Sequence, residues 1–190
     1  MRLGVFGGSF DPPHLGHLLP LIDAAEMLRL DRVLFVPAAT QPLKIGGAAA
    51  SAAHRMELTR RLVAGIPGFE ASAAEVDRPG LSYMVDTLSA VAAEAPRAQI
   101  TLVLGADAYA LFAGWKDPER IRRLASLAVM TRGEERAPSD GGAEQVELLR
   151  TRRVDISSTE LRARVADGRT IRGFVPDAVA DYIAAHRLYR

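Results

Sequence analysis

Arg2-Leu3-Gly4-Val5-Phe6-Gly7-Gly8 runs directly into Ser9-Phe10-Asp11-Pro12-Pro13-His14-Leu15-Gly16-His17. The first half is a short apolar run ending in glycines, which predicts a buried strand over Arg2–Gly7. From His17 to Leu30 the residues Leu18, Leu21, Ile22, Ala25 and Leu28 recur at helical spacing. Pro20 is expected in the first turn of that helix, where a missing N–H costs little. Arg32–Val36 reads as a second strand, stopped at Pro37. A strand, a helix and a strand in succession form a βαβ unit, so the two strands are parallel.

The same alternation continues outward. Helices are predicted at about Ala53–Ala64, Ser82–Glu94, Ala106–Phe112, Pro118–Leu124, Ser158–Ala166 and Pro176–His186. Strands are predicted around Phe69–Val76, Ile100–Leu104 and Leu127–Thr131, while Val146–Leu149 and Val154–Ile156 fit strand or loop. Ile45–Ala53 and Gly133–Gln145 read as loops, of a composition that suits mobility. This pattern predicts an α/β fold: a doubly wound parallel sheet, helices on both faces and a small C-terminal helical portion. In such sheets ligands bind beyond the carboxyl ends of the strands.

Composition narrows the classes. With 190 residues, 48% hydrophobic and 25% charged, the chain has the make-up of a folded domain and not of a disordered one. It has no cysteine, which excludes disulfides and thiolate metal sites. A net charge of +1 argues against a broad nucleic-acid surface. The apolar runs are too short to span a bilayer, and the opening is a poor match to a signal peptide. The expectation is a soluble cytoplasmic protein. Basic residues are almost all arginine; Lys44 and Lys116 are the only lysines.

The segment after the first strand has chemistry of its own. Gly7 and Gly8 let backbone approach a ligand, and with Ser9 their amides form a possible anion cradle. His14 and His17, three apart at a helix start, share a face, and the helix N-terminus adds positive potential. Neither G-K-[ST] nor G-x-G-x-x-G is present, so this is another kind of phosphate site. A purely structural turn, or a metal held by both histidines and Asp11, are the competing readings. Near the C-terminus, Ile156-Ser157-Ser158-Thr159-Glu160-Leu161-Arg162 contains a capping box, Ser157 with Glu160. Three hydroxyls at a helix start, with Arg162 one turn in, also make an anion site.

Gly7–His17 resembles the G-G-[ST]-F-D-P-x-H-x-G-H signature of the nucleotidyltransferase superfamily, and Ile156–Arg162 resembles its I-S-[ST]-[ST]-x-[IL]-R motif. The resemblance implies one Rossmann-like nucleotidyltransferase domain over residues 1–190. It implies that His14 and His17 bond nucleotide phosphates in the transition state. Gly7, Gly8, Ser9, Phe10, Ile156, Ser157, Ser158, Thr159 and Arg162 would then line the ATP site.

Three further segments are similar to the nicotinate mononucleotide adenylyltransferase family. Pro37–Lys44 resembles V-P-x-x-x-P-x-K, with Lys44 on phosphate. Leu81–Leu88 resembles S-Y-T-x-[DQ]-T-L, with Met84 in place of the family threonine, and implies an acceptor site at Ser82, Tyr83 and Met84. Taken alone, that segment is a Ser82-capped amphipathic helix. Gly105-Ala106-Asp107 followed by Trp115 resembles G-x-D…W, which implies Gly105 and Asp107 on ATP and Trp115 stacked on a pyridine ring. Asp107 alone could be a helix N-cap. Arg132 is expected near the adenine.

The implied reaction joins ATP and nicotinate mononucleotide, with Mg²⁺ held mainly by the ATP phosphates and no dedicated metal site on the protein. Nicotinamide mononucleotide or phosphopantetheine as acceptor, or a non-catalytic nucleotide-binding module, are the alternatives.

Overall fold

The structure, a computed structural model, describes residues 1–40, 48–78, 80–132 and 146–190. Lys44, the predicted Gly133–Gln145 loop and part of the Ile45–Ala53 loop lie outside the described residues. Six strands make one sheet: β1 (Arg2–Gly8), β2 (Arg32–Pro37), β3 (Phe69–Ala71), β4 (Gln99–Gly105), β5 (Ser126–Arg132) and β6 (Val146–Thr151). Their order is β3-β2-β1-β4-β5-β6 and every pairing is parallel. The helices are α1 (Leu15–Met27), α2 (Ala52–Val63), α3 (Met84–Glu94), α4 (Ala106–Ala110), α5 (Pro118–Leu124), α6 (Ser158–Ala166) and α7 (Asp177–Ala185).

Strand alternation places a core on each face of the sheet. Leu3 and Val5 of β1, Ile100, Leu102 and Leu104 of β4, and Leu127 and Val129 of β5 face α3, α4 and α5. The alternate residues Phe6, Val103, Ala128 and Met130 face α1, α2, α6 and α7. The predicted doubly wound sheet is therefore present. The order reverses at β1, which has β2 on one side and β4 on the other. A crevice at the carboxyl ends of these strands is where such sheets bind ligands, and Gly7, Gly8 and Gly105 stand there.

Several boundaries differ from the sequence reading. α1 begins at Leu15, capped by His14, so Pro20 lies inside the helix and not in its first turn. The Gly16 carbonyl thereby loses the i+4 donor it would have had. β3 stops at Ala71, because only Phe69–Ala71 pair with β2 and the chain then turns through residues 74–77. Val154–Ile156 is no strand, and β6 runs on to Thr151. The final helix starts at Asp177 after Pro176. No helix among the described residues is long and apolar enough to cross a membrane.

Candidate active site

The turn between β1 and α1 is built on close backbone approach. A Cβ on Gly7 would come within 2.5 Å of the Met84 methyl, so α3 rests on the end of β1. A Cβ on Gly16 would meet the His14 ring at 2.9 Å and the Ile156 carbonyl at 3.1 Å. The two sequence motifs therefore touch across the start of α1.

His14 and His17 lie face to face, ring centroids 3.8 Å apart and planes 32° apart. Phe10, fully buried with φ at 49°, presents its ring edge-on to His17 at 5.2 Å. His17 Nδ1 accepts the His14 backbone N–H at 3.2 Å. A neutral His17 therefore carries its proton on Nε2, leaving that nitrogen as a donor. Burial, aided by the adjacent His14 ring, holds His17 well below the ordinary imidazole range. At neutral pH it is an uncharged N–H donor.

The second motif is fastened onto the first. Ser157 caps α6, its hydroxyl accepting the Glu160 N–H at 3.1 Å. Ser158 Oγ donates to the Pro12 carbonyl at 2.8 Å. Arg162 donates to the Asp11 carbonyl at 2.7 Å and to Thr159 Oγ1 at 3.2 Å. Those bonds use only part of the guanidinium's donor set. The N-termini of α1 and α6 thus meet at one place, with their positive ends on the same loop.

The Asp11 carboxylate, 2% exposed, is engaged by protein donors. It accepts the N–H groups of Ala49 and Ala50 at 2.6 and 3.0 Å and the Tyr189 hydroxyl at 2.8 Å. Burial and that carboxylate push the Tyr189 phenol up. Arg55, also 2% exposed, reaches the same loop from α2. It donates to the carbonyls of Ser9 (2.8 Å), Ala39 (3.0 Å) and Ala50 (3.1 Å). Sequence reading missed Arg55, although its position with Leu58, Thr59 and Leu62 on the buried stripe of α2 was a signal.

On the other side of the sheet Tyr83, Met84 and Trp115 pack against one core, with Trp115 5.6 Å from the Phe112 ring. Lys116, also missed, lies 4.5 Å over the Tyr83 ring and pairs with Asp86 at 3.0 Å. Ser82 is not the cap of α3: that position is Tyr83. The Ser82 hydroxyl accepts the Ala39 N–H at 2.9 Å, and its N–H donates to the Thr40 carbonyl. The hydroxyl and N–H of Ser82 thus join the acceptor segment to the stretch after β2. The cap of α4 is Gly105, with Asp107 exposed in the first turn. Arg132 ends β5 on the same edge of the sheet.

A cavity of about 770 Å³ opens at the opposite end, where Arg2, Gln99, Ser126 and Val146 begin their strands. Strand polarity places it away from the carboxyl ends, and we assign it no chemistry.

Residues 5–164 match the cytidylyltransferase-like family. The chain belongs to that family. Its relatives include a probable nicotinate-nucleotide adenylyltransferase of Gemmatimonas aurantiaca, 51% identical over all of this chain and 93% of that one. Another of the same name, from Thermus thermophilus, is 47% identical over the full length of both. Among solved structures, the nicotinic acid mononucleotide adenylyltransferase of Plasmodium falciparum complexed with NaAD superposes with a TM-score of 0.77. It covers 99% of this chain and 97% of that one at 18% identity. Its complex with APC gives 0.76 at 17% identity, over 99% of this chain and 96% of that one. At those identities the likeness is one of fold.

Proposed function

We infer that this cytidylyltransferase-like chain is a nicotinate-nucleotide adenylyltransferase, joining ATP and nicotinate mononucleotide to give deamido-NAD and pyrophosphate. The observation that carries the chemistry is the stacked His14–His17 pair under the β1 glycines, with the Ser157–Arg162 helix fastened to the same loop. The names of the relatives and the Tyr83–Trp115 face of the site support the acceptor.

In this reading a phosphate oxygen of the mononucleotide attacks the ATP α-phosphorus in line. The bond from that phosphorus to the bridging oxygen breaks, and pyrophosphate leaves. The nucleophile is already an anion, so no covalent enzyme intermediate and no general base are required. The protein's task is to position the two phosphates and to stabilise charge on the transferring group. His17, neutral with its proton on Nε2, donates to that group without having to gain or lose a proton. Arg162 and the starts of α1 and α6 supply positive potential. Ser9, Phe10, Gly105, Asp107, Thr159, Lys44 and Arg132 complete the ATP side of the proposal, and Tyr83, Met84 and Trp115 the pyridine side.

Mg²⁺ belongs to the proposal as a companion of ATP. The described residues form no cluster of three or more histidines and carboxylates that could hold an ion, and Asp11 already accepts from three protein donors. The described residues therefore do not fit a protein-held metal. Carried by the substrate, the ion would neutralise phosphate charge.

The deciding experiment is Mg²⁺-dependent pyrophosphate release from ATP with nicotinate mononucleotide, nicotinamide mononucleotide and phosphopantetheine side by side. Strong preference for the first is expected. Preference for another keeps the histidine chemistry and moves the acceptor. Binding of ATP without turnover on any acceptor refutes the enzyme reading.

A further inference from the structure

Behind the first turn of α3 lies a carboxyl that the phosphate chemistry does not use. Glu75 sits in the turn after β3 and is 3% exposed. Its Oε1 accepts from Thr87 Oγ1 at 2.6 Å, and the Ser82 hydroxyl lies near enough to the same carboxylate to favour its charged form, against the upward push of burial. Ser82 in turn holds the Ala39 N–H at 2.9 Å and the Thr40 carbonyl at 2.9 Å. Arg78 completes the group, donating to Thr87 Oγ1 at 3.2 Å. One buried acid thereby gathers the segment after β2, the residue before the α3 cap and a threonine one turn into α3.

Burying a carboxyl carries a desolvation cost that an apolar residue of the same size would avoid. Packing alone gives no reason for an acid here. Its neighbours Ser82 and Thr87 bond in turn to the two stretches of backbone, Ala39–Thr40 and the Tyr83 carbonyl, that bound the pyridine side of the site. Met84 passes the constraint on to β1 through its contact with Gly7.

We propose that Glu75 is a positioning residue for the pyridine mononucleotide, acting through Ser82 and Thr87 to hold Ala39–Thr40 and the Tyr83–Met84 turn in register. The proposal rests on the adenylyltransferase reading.

The test is steady-state kinetics of the full chain, with a thermal melt, for Glu75→Gln, Ser82→Ala, Ser82→Thr and the Glu75→Gln/Ser82→Ala double variant. Glu75→Gln and Ser82→Ala should each raise KM for nicotinate mononucleotide about fivefold to tenfold, the factor of one lost buried hydrogen bond. KM for ATP and kcat should stay within about twofold, the scale of an undisturbed site. The double variant should be no worse than the worse single one, because both loosen the same group of neighbouring side chains. Ser82→Thr, which keeps the hydroxyl, should restore most of the affinity.

If Glu75→Gln does not fold, the Ser82→Ala and Ser82→Thr pair decides. KM values for both substrates rising together, a melt that falls with neither KM moved, or additive effects in the double variant would each overturn the proposal. A wild-type protein that consumes no pyridine mononucleotide refutes the functional reading itself, and this inference falls with it. A wild-type protein that does, beside variants with unmoved KM, refutes this inference alone.

Discussion

Replacing Arg55 by methionine should be among the most damaging single changes in this chain, although Arg55 touches no substrate in the proposed reaction. The side chain is 2% exposed and spans three carbonyls, those of Ser9, Ala39 and Ala50, at 2.8 to 3.1 Å. Methionine fills a similar length and donates nothing. Each carbonyl left buried without a partner costs about 1–3 kcal/mol. Part of that is returned, because burial already disfavours the guanidinium and pulls its pKa down. The net loss should be about 3–5 kcal/mol, a large share of the roughly 5–15 kcal/mol that holds a domain folded. For a chain of this size about 2–4 °C of melting temperature follows each kcal/mol, so Tm should fall by about 6–20 °C. Arg55→Lys keeps the charge but not the planar fork, and should recover only a minor part. The assay is a reversible thermal melt of the three proteins, followed by turnover at a temperature where all are folded. Because Ser9 and Ala39 flank the phosphate and pyridine sides respectively, the folded Met variant should lose affinity for both substrates. A Met variant melting within about 2 °C of wild type would refute the idea that Arg55 holds these carbonyls.

Three other outcomes follow from the geometry. His17→Ala should leave the fold intact and lower kcat by about 10²–10³, the usual cost of one transition-state donor, and unchanged turnover would remove histidine from the mechanism. Trp115→Ala should raise KM for the mononucleotide far more than KM for ATP; equal effects would contradict stacking. The depressed pKa of His17 also predicts a pH effect on stability. Below about 6.5 the unfolded chain takes up a proton that the folded ring refuses, so the His17 contribution is present above that pH and is lost as pH falls. Melts between pH 7.5 and 5 should show wild type losing stability faster than His17→Asn, and parallel curves would contradict the assignment.

Much of this architecture was legible because its signals are local. The apolar run of β1, the glycines that end it and the helical period after it are contiguous, and each alone predicts its element. The start of α1 was misplaced because its cap is a histidine, His14, and not one of the usual hydroxyl or amide residues. The end of β3 was misplaced because an edge strand stops where its pairing stops, and β2 runs on to Pro37 without it. Counting apolar residues along Phe69–Val76 says nothing of pairing, and Phe69–Ala71 are all that β2 engages. The phosphate motifs were visible as residue types, but not as one site. Arg55, Glu75 and the contact of Tyr189 with Asp11 escaped notice for a shared reason. Their partners are distant in sequence or are backbone carbonyls and amides, as with Tyr189 and Asp11, 178 positions apart, and no spacing rule reaches them.

That distance has a consequence for how the site forms. The loop Ser9–His14 cannot hold its shape from β1 and α1 alone, because its polar groups are met from elsewhere. Ser158 and Arg162 satisfy the Pro12 and Asp11 carbonyls from 146 and 151 positions away. Tyr189 and the amides of Ala49 and Ala50, just before α2, meet the Asp11 carboxylate, and Arg55 the Ser9 carbonyl. Asp23 of α1 holds the Arg152 N–H and guanidinium, which fixes where the chain leaves β6 on its way to the second motif. Buried polar groups left unmet are costly, so the loop becomes stable in this shape only when α6 and the C-terminal residues have docked. The donors that would meet phosphate, His17 at the start of α1 and Arg162 in α6, are brought together by that same event. Preorganisation of the site is thus a property of the completed fold and not of either motif, and either motif transplanted without the other should bind phosphate poorly.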